Sequence, residues 1–143
     1  MTMLTTDQIS HYRNKGYIYP VNALTSNEAK DIRNEIEKIE KNWPGALEGI
    51  NRNYIHLISP ILNKVCLNKN ILDAVESIIG KNILICGTTL FIKEKNEKGF
   101  VSFHQDAKYI GLEPHNWVTV WLAVTDSNDC LLYTSPSPRD ISR

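Results

Sequence analysis

A chain of 143 residues is enough sequence for one domain with a real core and too little for two. Sixteen Lys and Arg balance sixteen Asp and Glu, which excludes the basic excess that draws a chain to nucleic acid or an anionic membrane. No stretch has the apolar length of a signal-peptide core or a membrane span, and Cys66, Cys86 and Cys130 form neither a disulfide framework nor a zinc motif, so a soluble, cytoplasmic protein with reduced thiols is predicted.

Residues 6 to 16 predict a short helix. Ile9 and Tyr12 recur at helical spacing, Thr6 can cap the start, and Gly16 can supply the left-handed residue that ends it. Tyr17 to Val21 reads as a strand. Thr25-Ser26-Asn27-Glu28 fits a capping box, in which the hydroxyl and the carboxylate satisfy each other's free amide donors. A helix follows to about Asn42, with Ala29, Ile32, Ile36 and Ile39 on its inner face and Lys30, Arg33, Glu37, Lys38 and Glu40 outside. Pro44-Gly45 ends that pattern. Between Ile55 and Gly80 helical spacing returns, first through Ile61, Leu62 and Val65, then through Ile71, Leu72, Val75, Ile78 and Ile79. Asn70 suits the second helix's cap and Gly80 its stop.

From Ile83 the character changes. The runs ILICGTTLFIK, FVSFHQD and WVTVWLAVT are β-branched or aromatic and of strand length, divided by the polar turns EKNEKG and GLEPHN. Leu90, Ile92, Val118 and Val120 read as sheet core. Helices first and strands afterwards predict an α+β fold in which helices brace an antiparallel sheet or barrel. The last thirteen residues, LLYTSPSPRDISR, break from this pattern, because Pro136 and Pro138 each remove a ladder donor and restrict the residue before them. They read as a disordered terminus or as non-native sequence.

The chemical signal lies in Phe103-His104-Gln105-Asp106. In extended backbone, residues i and i+2 project to one side, so the imidazole of His104 and the carboxylate of Asp106 can converge on one ion. Such a pair is two thirds of the two-His-one-carboxylate triad that holds iron(II) with positions open, although His-x-Asp also arises by chance. The other histidines have plainer readings. His11 falls on the surface of the first helix, and His115 in a solvated turn. His56 is either a substrate or cosubstrate contact or a partly buried, hydrogen-bonded histidine.

The stretch from Thr88 to Asp126, with Phe91-Ile92-Lys93, His104-Gln105-Asp106, a turn containing Pro114 and Trp121-Leu122-Ala123, resembles the phytanoyl-CoA dioxygenase family, which includes proteins known as chlorinating enzymes. The run from Asp7 to Glu40 is similar to that family's opening helices, so the resemblance spans most of residues 6 to 129. It implies that residues 1–130 form the N-terminal part of a dioxygenase domain, with helices bracing an incomplete double-stranded β-helix, the cupin-like jelly-roll barrel. Residues 131–143 would lie outside it. The resemblance makes His104 and Asp106 the first two ligands of Fe(II), and Trp121 a wall of the 2-oxoglutarate pocket; core packing is the alternative for Trp121. The family's distal histidine and its arginine for 2-oxoglutarate would follow a Gly-Cys step that does not continue after Cys130, so an inactive, truncated chain is expected.

The implied reaction hydroxylates a small organic or acyl substrate with dioxygen, giving succinate and carbon dioxide as coproducts, and needs neither nucleic acid nor membrane. Halogenating members carry a small residue where Asp106 stands, so a hydroxylase is expected. The rivals are a halogenating member of the family, a non-catalytic jelly-roll binding module and a zinc or manganese cupin-type enzyme.

Overall fold

In the computed structural model, which describes residues 3–92, 104 and 106–126, helix α1 (Thr6–Lys15) comes first. Its cap is Thr5 rather than Thr6. Thr5 Oγ1 accepts from the Gln8 amide at 3.2 Å, and Gln8 Oε1 accepts from the Thr5 amide at 2.8 Å. Gln8 decides the choice, because the residue three after Thr6 is Ile9, which has no acceptor to return. Gly16, at φ 85°, closes the helix by donating to the Tyr12 carbonyl.

Helix α2 (Ser26–Asn42) starts at the Thr25 and Glu28 box and buries Ile32, Ile36 and Ile39. Arg33 and Glu37 pair on its outer face at 2.7 Å. The buried stripe meets Leu47, Ile55 and Leu62 in one apolar cluster. Each such side chain contributes about 1.5–3 kcal/mol by leaving water. Helix α3 (Pro60–Cys66) has proline at its first position, where a missing amide costs nothing. The residue before it, Ser59, is buried and turns its hydroxyl to Glu35 Oε1 of α2 at 2.8 Å, joining the two helices.

Helix α4 (Lys69–Ile79) is capped by Asn68, not Asn70. Asn68 Oδ1 accepts from the amides of Asn70 and Ile71, while the Asn70 side chain donates to the Ala23 carbonyl at 3.2 Å. Gly80, at φ 88°, ends it as expected. Ala74 and Val75 are buried in α4, and the buried Leu4 donates its amide to Ser77 Oγ.

The strands are where sequence and structure part. No strand occurs among the described residues, which hold one isolated antiparallel bridge, Asn53 to Thr89. Tyr17 to Val21 pairs with no other segment among the described residues, and Tyr17 and Tyr19, both exposed, stack on each other. Residues 83–92 and 117–125 are likewise not strands. A strand is defined by its ladder, and the pieces expected to lie between them, residues 93–103 with the EKNEKG turn, fall outside the described residues, as does Gln105. Asp106 departs from the expectation too, for it opens a short helix, α5 (Asp106–Ile110), in place of ending a strand. The helical half of the α+β expectation is thus present, and the barrel half is not seen among the described residues.

Candidate metal centre

Residues 52–56 carry the later segment on the helical layer. The Tyr54 amide donates to the Thr88 carbonyl at 2.7 Å and the Leu90 amide to the Arg52 carbonyl at 2.9 Å, flanking the Asn53 to Thr89 bridge. Arg52 braces both sides, its Nε donating to the Leu47 carbonyl and its Nη1 to that of Ile92. Tyr54 adopts φ 57°, uncommon for a bulky residue, and its ring lies against Gly87, where a Cβ would stand 3.2 Å from Tyr54 Cε1. The same limb holds His56, whose Nδ1 lies 2.8 Å from Thr88 Oγ1. His56 is thus partly buried and hydrogen-bonded.

Residue parity then sorts the side chains. Leu90, Ile92, Leu122 and Val124 pack against the apolar cluster. Phe91, between two of them, stacks on Trp121 with ring centroids 5.2 Å apart and planes 26° from parallel. Both rings are more than half exposed, so Trp121 is not the core residue its alternative reading made it. Val120, expected in the core, is 48% exposed, and Leu122 and Val124 take that place.

Trp117 and Thr119 share the parity of Trp121 and meet the chemistry. His104 Nε2 stands 3.1 Å from Asp106 Oδ1, and both side chains reach solvent. The second carboxylate oxygen, Oδ2, accepts from Thr119 Oγ1 at 2.5 Å, and Thr119 Oγ1 accepts from Trp117 Nε1 at 3.0 Å. Tyr109, on α5, sets its ring edge-on to the His104 ring, 6.1 Å between centroids. The two predicted ligands therefore converge, but Asp106 does so from a helix start instead of the strand pleat that the sequence suggested. Among the described residues no third His, Cys, Asp or Glu joins them within reach of one ion. His11 lies exposed against Tyr17, and His115 is exposed in its turn, 3.9 Å from Glu113.

The donor set suits a first-row divalent ion, with one imidazole nitrogen and one carboxylate oxygen from residues close in the chain. Two donors each about 2.1 Å from an ion and at right angles to it stand about 3 Å apart, which the observed pair matches. The family described as phytanoyl-CoA dioxygenase (PhyH) matches residues 12–135.

The chain belongs to the phytanoyl-CoA dioxygenase family.

Phytanoyl-CoA dioxygenase family proteins are generally cupin-like jelly rolls and typically depend on Fe(II) and 2-oxoglutarate, acting as oxygenases on small molecules with dioxygen. Neither the curated proteins nor the solved structures give a match to this member. No helix among its described residues is long and apolar enough to cross a membrane. In the sequence of this family member His104 and Asp106 stand out as candidate ligands, whereas Thr119 and Trp117 do not. Their signal is the alternation in Trp117-Val118-Thr119-Val120-Trp121, which sets three polar-tipped or aromatic side chains on one side.

Proposed function

We propose that His104 and Asp106 are two of the three protein ligands of a non-haem iron(II) centre in a 2-oxoglutarate-dependent hydroxylase of a small organic or acyl substrate. The observation that carries this reading is the 3.1 Å between His104 Nε2 and Asp106 Oδ1, a separation suited to neighbouring positions on one ion. Iron(II) bound there with 2-oxoglutarate would supply the oxidant for an unactivated carbon–hydrogen bond.

The chain's own contributions follow from its layout. His104 gives a neutral nitrogen and Asp106 an anionic oxygen, so the pair neutralises half the charge of a divalent ion. Trp121 and Phe91 offer an exposed aromatic surface suited to walling the cosubstrate pocket and excluding water from it. The carboxylate at 106 occupies the coordination position that halogenating members leave to chloride, which favours hydroxylation. In this reading residues 1–130 belong to a jelly-roll dioxygenase domain, and helices α1 to α4 brace its barrel. The thiols of Cys66 and Cys86 are free, which suits a cytoplasmic setting.

The test is anaerobic titration of the chain with Fe(II), followed by calorimetry. His104→Ala and Asp106→Ala should each weaken binding by tenfold or more, on the order of the loss when a site gives up a ligand. Affinity unchanged in both variants would refute the metal centre and favour a non-catalytic jelly-roll binding module.

A further inference from the structure

We infer that Thr119 is a positioning residue for the Asp106 carboxylate, and that Trp117 fixes the direction in which the Thr119 hydroxyl donates. The inference rests on the reading of His104 and Asp106 as iron ligands and concerns what makes one carboxylate oxygen available.

The donor inventory settles the direction of each bond. An indole N–H can only donate, an ionised carboxylate can only accept, and a threonine hydroxyl has one proton to give. Trp117 Nε1 donates to Thr119 Oγ1 at 3.0 Å, filling an acceptor site on that oxygen. The hydroxyl proton is then directed to Asp106 Oδ2, and the 2.5 Å separation is that of a charge-assisted bond. With Oδ2 engaged, Oδ1 is the oxygen that faces His104 Nε2, 3.1 Å away. The carboxylate is thereby set to offer an ion one oxygen instead of two. This keeps free a position that a chelating carboxylate would occupy.

Thr119 is also well mounted for the task. Three and five residues further on, Leu122 and Val124 pack against the apolar cluster of α2 and α3. The Thr119 backbone is in this way referred to the helical layer, whereas Asp106 begins a helix of five residues with no buried side chain described. A ligand on a short helix gains its orientation from a hydroxyl on a better-anchored segment. Nothing in the pattern His-x-Asp requires a threonine thirteen residues later, so this contact is a property of the fold.

The experiment measures Mn(II) binding to the 143-residue chain, from the electron paramagnetic resonance signal of the free ion, in wild type, T119V, T119S, W117F and H104A. Valine keeps the threonine shape and removes the hydroxyl; serine keeps the hydroxyl. T119V should weaken Mn(II) binding about ten- to a hundredfold, T119S should stay within about threefold of wild type, and W117F should fall between them. In the metal-free chain, the Trp117 indole N–H resonance should move upfield in T119V and stay in place in T119S. Wild-type affinity in T119V alongside lost affinity in H104A would overturn the inference alone. T119S binding as poorly as T119V would also overturn it, by assigning the effect to packing of the methyl group. H104A binding Mn(II) as tightly as wild type would overturn the ligand reading itself, and the inference with it.

Discussion

Cys66 and Cys86 differ in what surrounds their sulfur. Cys66, at the end of α3, is half-buried, and burial pushes its thiol above the usual range, while Cys86 is exposed. The thiolate is the species that reacts, so a raised thiol leaves less of it at neutral pH and slows alkylation. Brief treatment with a maleimide at pH 7.5, read by peptide mass spectrometry, should label Cys86 several-fold faster than Cys66; equal rates would contradict the burial. At this scale the sequence makes the candidate ligand pair legible but not the hydroxyl that meets it. His104 and Asp106 stand out as candidates because metal chemistry restricts ligands to a few residue types, and their spacing is short. Thr119 is illegible because threonine in a β-branched run has an ordinary explanation in strand propensity, and its hydrogen bond depends on where α5 lies. Trp121 is ambiguous for a similar reason: an aromatic in such a run suits a core or a pocket wall, and the structure shows its ring exposed and stacked on Phe91.

At the scale of elements, the capping box of α2 is the feature most open to measurement. Thr25 Oγ1 accepts from the Glu28 amide at 3.3 Å, and Glu28 Oε2 accepts from both the amide and the hydroxyl of Thr25 at 2.7 Å. Thr25→Ala should cost about 1 kcal/mol in urea denaturation at pH 7. The hydrogen bond from the Thr25 backbone, then that from its side chain, holds the Glu28 carboxyl below its ordinary value of 4.5. A lowered carboxyl binds fewer protons in the folded state, so its contribution is complete above pH 4.5 and is lost as pH falls through the folded value beneath it. The stability gap between wild type and Thr25→Ala should therefore narrow below pH 4.5, and a constant gap down to pH 2.5 would show that the carboxylate adds nothing. Helices such as this one were readable because their signals are local: caps lie within three residues and the apolar stripe within four. The caps fall one and two residues earlier than Thr6 and Asn70, because Gln8 returns a bond to Thr5 and because the Asn70 side chain is engaged with the Ala23 carbonyl while Asn68 takes the free amides. Strand readings rest on partners far along the chain, and β-branched composition alone does not supply them.

Across the whole molecule, stability concentrates in the cluster that joins α2, α3 and residues 47–55. Leu62 is 4% exposed there, so Leu62→Ala should destabilise the chain by about 2–4 kcal/mol in the same denaturation, far more than any change near His104. A loss under 1 kcal/mol would mean that the cluster collapses around the gap. The segment that carries His104 and Asp106 is tied to this cluster through Leu122 and Val124, which pack against it, and through the pairing of residues 52–56 with 88–90. That pairing consists of a few backbone hydrogen bonds between partly or fully exposed residues, separated by more than thirty positions in sequence. Its formation must wait until a long loop has closed, whereas α2 and α3 meet over shorter distances and can assemble first. The chain therefore has two tiers of opening. Amides in the middle of α2 should exchange with solvent water only through global unfolding, while those of Tyr54 and Leu90 should exchange whenever the later segment lifts away from an intact helical layer, as hydrogen exchange followed by mass spectrometry would read. Any ion that the pair captures acts on this second, smaller opening, and slows exchange at Tyr54 and Leu90 before it alters exchange in the helices.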